Sequence, residues 1–364
     1  MNTVVKTKFS VKPVVAALAV ALSAASAYAD PTPTQLPGAG LIRAVNPGTT
    51  ITSPKTFYCV QTAGAGCIAG TGGAGDQIYN GSLSAAFFPG SIQLNNAGTV
   101  ARAVIQWGGT QTGLPTGSAI DTTIRESYNP AGFNIGANAK VFFTSSATVT
   151  NASVLNIDAT GNPSQLFGQL VSTADVTLGT GVAVPGVGGG VAPVVFVANA
   201  NGIVIGPTGY MQIPSGGGLI GANLNNKTAI LDFVADNGPG TTGYLNVISG
   251  QSRVEVQGAI DGGIGPFVSN VPAAFVLLVG GDIVNTGNIY ANKVQVDAGM
   301  RAYSSTTASD TIGGISKTSV QRLYNVDTSS FVAGPNECTN SATCIEVAKS
   351  GSTFVNTGTI SSKG

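Results

Sequence analysis

The chain has 364 residues, 51 of them glycine, with 16 Lys and Arg balanced by 16 Asp and Glu and no histidine. Neutrality without basic clusters leaves no electrostatic footprint for nucleic acid. The lack of histidine excludes every His-based catalytic triad and every His-containing zinc site.

The N-terminal residues read as an export signal. Lys6, Lys8 and Lys12 precede an apolar stretch from Val14 to about Ala25, and Ala27-Tyr28-Ala29 stands before Asp30. Positive region, apolar stretch and small-x-small site together describe a secretory signal peptide over residues 1–29, cut between Ala29 and Asp30. The apolar part is about a dozen residues, short of the ~20 a membrane-crossing helix needs, so a membrane anchor is the weaker reading. No later segment reaches that length without Gly or polar interruption, and no transmembrane segment is expected. The mature chain is therefore expected to be soluble or attached from outside.

Four cysteines follow in two local pairs. Cys59 and Cys67 flank a Gly/Ala loop; Cys338 and Cys344 flank a Thr/Asn/Ser loop. In an exported chain, disulfides are the default, each closing a small loop for roughly 2–3 kcal/mol. Metal binding is a poor rival, because neither spacing is C-x-x-C and no histidine supplements them.

From about Leu36 the chain alternates short apolar runs with turn residues. Ile92–Asn95 leads into Asn96-Ala97-Gly98, Ala103–Trp107 ends in Gly108-Gly109, and Val141-Phe142-Phe143 runs into Thr and Ser. Runs of this length and composition read as strands, and helix-forming runs are nearly absent. Three segments look like insertions: Thr110–Pro130, Leu178–Pro193 and the charged Tyr303–Pro335, the last with a short helix expected near Ser319–Tyr324. A weak repeat runs through Val254–Ile260, Ile283–Ile289 and Phe354–Ile360, each an apolar start, a polar turn with Gly, then Ile. Short strands, Gly/Asn corners and such recurrence predict an all-β chain and suit a β-solenoid. A β-sandwich would show similar strands, so the pattern alone leaves both open.

Three blocks in order resemble a known family. Ala103–Trp107 followed by Phe133–Phe143 looks like the core of the two-partner secretion domain that opens filamentous haemagglutinins, haemolysins and contact-dependent inhibition proteins. Val154–Asp158 followed by Gly161–Leu170 is similar to its next block. Val195–Gly206 resembles the third, which typically reads VFLVNPNGILFG; here the turn is Asn199-Ala200-Asn201-Gly202, without the proline. The resemblance runs from about Leu36 to Ala302. It implies a right-handed parallel β-helix with loop insertions, spanning residues 30–302. Residues 303–364 would add further solenoid coils around the charged insertion and look cut short. It also implies export through the periplasm of a Gram-negative bacterium by an outer-membrane transporter with POTRA domains and a β-barrel, delivering an adhesin that is secreted or held at the cell surface. Host or neighbouring-cell surface receptors or glycans are the partners expected there.

Two roles are open for the family-motif turns Asn162, Pro163, Ser164, Asn199, Asn201 and Gly202: recognition by the transporter, or fixing of a corner. Asn side chains bond nearby backbone in turns, which favours the structural role. Trp107, the only tryptophan, reads as a core plug. No cofactor, metal or catalytic residue is expected. Asp121, Arg125 and Glu126 cluster in an insertion, while Asp158, Asp232, Asp236, Asp261 and Asp297 are dispersed, and no nucleophile–base arrangement is visible. The alternatives are a complete small surface or matrix adhesin and, further off, a carbohydrate-active β-helix enzyme.

Overall fold

Short apolar runs that end in Gly, Asn or Asp cannot close a core alone; they bury their faces by stacking. The computed structural model describes residues 29–38, 40–52, 58–61, 77–80, 89–108, 132–174, 190–234, 244–245, 252–263, 272–298, 310–312, 315–317, 324–325, 343–347 and 352–362. It is an all-β structure whose strands stack into a ten-stranded, an eight-stranded and a five-stranded sheet, with two small hairpin-like pairs beside them. From residue 151 to residue 298 the chain visits these sheets in a fixed order. Asn151–Asp158 lies in the ten-stranded sheet, Ser164–Leu166 in the five-stranded and Gln169–Ser172 in the eight-stranded. Val194–Asn199, Ile203–Ile205 and Tyr210–Gln212 repeat the order one rung further on, all paired in parallel with the rung before.

The weak sequence repeat is this stacking. Val254 pairs with Ile283, and Ile283 with Phe354; Ile260 pairs with Ile289, and Ile289 with Ile360. The glycine in each copy has a steric cause. A Cβ on Gly287 would lie 2.0 Å from the Gly258 carbonyl oxygen, and one on Gly358 would lie 2.1 Å from that of Gly287. Each of those carbonyls accepts a hydrogen bond from the next rung, Asn288 N to Gly258 O at 2.9 Å and Thr359 N to Gly287 O at 2.8 Å. Any side chain there would hold neighbouring rungs apart.

Alternate residues of the strands point between the sheets and form one continuous core. Ala103, Val154, Val195, Val276 and Val294 occupy one register line of it, interrupted by Gly217. The opposite face of the ten-stranded sheet is also buried. Val104, Leu155, Phe196, Ile220 and Leu277 form a second apolar layer with Ile230 and Phe233. Strands buried on both faces read as unbroken apolar runs, as Val194–Asn199 and Val276–Gly280 do. At roughly 1.5–3 kcal/mol per buried aliphatic or aromatic side chain, these two layers are the main stabilising term.

The structure corrects three expectations. The sheets are mixed, since Gly40–Val45 runs antiparallel to Val100–Trp107, and Thr49–Thr52 antiparallel to Pro89–Asn96. The turn at Asn46–Gly48, closed by Thr49 N to Asn46 O at 3.0 Å, passes the chain from one sheet to the other in that reversed sense. A helix lies at Lys227–Val234, where none was expected, begun by Asn226, whose Oδ1 accepts from Ala229 N at 2.9 Å. Its residues Ile230 and Phe233 cover the second apolar layer, and that burial outweighs its shortness. The helix expected near Ser319–Tyr324 is not found at its described end, because Tyr324 pairs as a strand with Leu245; Ser319 to Leu323 lie outside the described residues. The charged insertion also holds an antiparallel pair, Asp310–Ile312 with Ile315–Lys317. Beyond it, Thr343–Val347, Thr353–Asn356 and Thr359–Ser362 add one further rung to each of the three sheets.

Candidate functional site

The first strand of each of the three blocks that carry the sequence resemblance ends on adjacent positions of the ten-stranded sheet. Trp107 pairs with Asp158, and Asp158 with Asn199. All three are buried, and the chain turns after Asp158 and after Asn199. An Asp or Asn at the end of a strand can close such a turn by accepting from the backbone two residues on. Asp158 Oδ1 accepts from Thr160 N at 3.0 Å, and Asn199 Oδ1 from Asn201 N at 2.7 Å. The following turn repeats the device, Asn223 Oδ1 accepting from Asn225 N at 2.9 Å.

These turns are also tied across rungs. Asn199 Nδ2 donates to the Asn162 carbonyl at 2.8 Å and to Ser164 Oγ at 2.9 Å. Ser164 Oγ donates in turn to Asp158 Oδ2 at 2.8 Å, and the same oxygen accepts from Phe133 N at 2.8 Å. Thr160 Oγ1 adds a fourth bond to the carboxylate at 2.7 Å. Burial pushes the Asp158 carboxyl above its ordinary value, while the bonds from Thr160, Phe133 and Ser164 pull the other way and only partly offset it. Gly202 takes φ 112°, and a Cβ there would also meet the Arg253 carbonyl at 2.9 Å. Trp107 is wholly buried, its ring centroid 5.5 Å from that of Phe133 and its Nε1 donating to Asn156 Oδ1 at 3.0 Å.

Of the six motif-turn residues, the structure thus joins Asn162, Ser164, Asn199, Asn201 and Gly202 in one corner, with Pro163 half-buried within it. The polar atoms of Asn199 and Ser164 are spent internally, whereas Asn162 and Asn201 are exposed. Asp158 was missed as a member of this corner. Its signal was the spacing Asp158-Ala159-Thr160, which matches Asn199-Ala200-Asn201 and Asn223-Leu224-Asn225.

An open groove of ≈ 200 Å³ runs past the corner, lined by Asp158, Gly161, Ala200, Asn201, Ala222, Asn223 and Asn225, among others. Behind Asn225 lies a buried cation. Arg43 Nη1 donates to Asn225 Oδ1 at 2.9 Å and also to Gln106 Oε1, while its Nε and Nη2 have no partner among the described residues. Burial depresses the Arg43 guanidinium from its ordinary value.

The other residues singled out by sequence fall elsewhere. Ala29 and Asp30 are exposed at the start of the described chain. Cys59 lies on the strand Tyr58–Gln61 and Cys344 on Thr343–Val347; Cys67 and Cys338 lie outside the described residues, as do Asp121, Arg125, Glu126 and Asp236. Asp232 lies on the helix. Asp261 is bound by the Tyr210 hydroxyl and Asp297 by Gln295. Among the described residues, no three His, Cys, Asp or Glu side chains gather to hold a metal ion, and no helix is long and apolar enough to cross a membrane. No protein-family model and no curated protein matches the chain.

Proposed function

We propose that the chain is the N-terminal secretion domain of a filamentous haemagglutinin-like exoprotein, built as a right-handed parallel β-helix. An outer-membrane transporter with POTRA domains and a β-barrel recognises it in the periplasm and delivers it to the cell surface for adhesion. One observation carries the reading: the three blocks that resemble the two-partner secretion domain supply neighbouring strands of one sheet, and the turn residues of the second and third are bonded to each other. Sequential stacking also suits export as an unfolded chain, because each rung finds its template in the rung before it. Folding outside would then bias the chain against sliding back.

The corner asparagines serve mainly the fold in this reading, since the bonds of Asn199 are all internal. The test begins with the neighbouring genes and a binding measurement. A POTRA-plus-barrel gene beside this one, whose purified POTRA domains capture the mature chain held unfolded in urea, is the expected result. Absence of such a gene from the genome, or POTRA domains that ignore the chain, would overturn the proposal and favour a surface adhesin exported by another route.

A further inference from the structure

We propose that the groove beside the corner binds a neutral, hydroxyl-rich ligand, the terminal ring of a glycan. Asn201 is exposed, and its amide has no partner among the described residues. Asn223 and Asn225 each use Oδ1 internally, on Asn225 N and on Arg43 respectively, which leaves both Nδ2 groups to face a ligand. The two Nδ2 groups supply donors and the Asn201 amide supplies both a donor and an acceptor, as paired hydroxyls require. The two that are anchored through Oδ1 are held in fixed orientation, and a preordered donor loses little freedom on binding.

What the groove lacks narrows the class. Its one ionisable lining residue is Asp158, both of whose oxygens are engaged, so an anionic ligand would meet a carboxylate and find no cation at the surface. That disfavours phosphates and acidic sugars. Its apolar lining is Ile157, Ala159, Ala200, Ala222 and Leu224, with no aromatic ring to anchor a peptide or stack a base. A volume of ≈ 200 Å³ is below that of ordinary drug-sized pockets and admits one sugar ring. Successive rungs lie ~4.8 Å apart, close to the length of one pyranose unit, so amides on consecutive turns address one ring and the next linkage. The donor character of Asn225 is strengthened from behind, because the buried Arg43 guanidinium polarises its amide.

This inference extends the adhesive half of the proposed function and is independent of the export route. A chain exported by another pathway would still carry the groove, and a groove that ignores sugars would leave the transporter test untouched. The experiment is an amide-resolved NMR titration of the folded mature chain with maltose, lactose and cellobiose, using glycerol and glucuronate as comparators. The expected result is weak binding, Kd on the order of 1 mM, with shifts centred on the side-chain amides of Asn201, Asn223 and Asn225. Asn201→Ala removes no internal side-chain bond and should weaken binding about fivefold while the fold persists. Shifts that glycerol reproduces, tighter binding of glucuronate, shifts centred elsewhere, or unchanged affinity in Asn201→Ala would each overturn the proposal.

Discussion

Replacing Asp158 by alanine strips the corner of its hub. Four donors lose their acceptor: the backbone N–H of Phe133, both groups of Thr160, and the Ser164 hydroxyl. They are not equal. Thr160 is half-buried and can turn to water, while Phe133 and Ser164 are fully buried and cannot. Leaving a buried donor unpaired costs about 1–3 kcal/mol, so these two sites together lose about 4 kcal/mol. Against this stands the relief of no longer burying a carboxylate, which is what raises its pKa. A net loss of about 2–3 kcal/mol is expected. Trp107 supplies the assay, because it is the only tryptophan, is fully buried, and lies over Phe133. Its fluorescence through a urea titration should show the variant unfolding at a clearly lower midpoint. A midpoint within about 0.5 kcal/mol of the wild type would mean that the corner bonds add nothing beyond their desolvation cost, and the account of the corner would fail.

The same residue sets a pH dependence whose sign is fixed. Its folded pKa is raised above 3.8, so its contribution is fully present at lower pH and is lost as pH rises through the folded value. The stability difference between wild type and Asp158→Asn, measured by urea midpoints from acid to neutral pH, should therefore fall with rising pH; a difference that grows would refute the dominance of burial. Gly287→Ala would place a methyl group 2.0 Å from the Gly258 carbonyl and should cost about 3 kcal/mol, whereas Gly161→Ala, at φ 84° with open space around it, should cost about 1–2 kcal/mol. Thermal denaturation of the two variants side by side checks that order, and equal losses would contradict the glycine column. Asn156→Leu leaves the indole N–H without its acceptor and should cost about 2 kcal/mol by the same fluorescence titration; an unchanged midpoint would show that the bond contributes little.

How far these features could be read in advance depends on their physical origin. The stacked rungs were legible, because Val254–Ile260, Ile283–Ile289 and Phe354–Ile360 repeat the same alternation, and stacking identical rungs demands it. The corner was half-legible. Asn199 and Asn201 carry recognisable turn chemistry, but Asp158 reads as one scattered carboxylate until its spacing to Thr160 is set beside that of the asparagine turns. The outer apolar layer was hidden in runs such as Val194–Asn199, since an unbroken apolar run does not say what covers its second face. Lys227–Val234 escaped notice because eight residues of mixed character have little helix propensity of their own; Asn226 and the contact of Phe233 with Phe196, at 6.3 Å between ring centroids, stabilise it. The antiparallel start was not legible, because nothing in the composition of Gly40–Val45 or Thr49–Thr52 distinguishes the two directions. Arg43 is a single charge in an apolar strand, and its tie to Asn225 spans 182 positions of sequence.

The central claim is that this chain leaves the cell through a dedicated partner. Its most direct test is to express the full chain, signal included, in a Gram-negative host with and without a candidate POTRA/β-barrel protein from the same genome, and to measure the mature chain outside the cell. The account predicts surface or extracellular protein only when the partner is present, with periplasmic accumulation or degradation otherwise. Equal amounts outside the cell in both strains would contradict it.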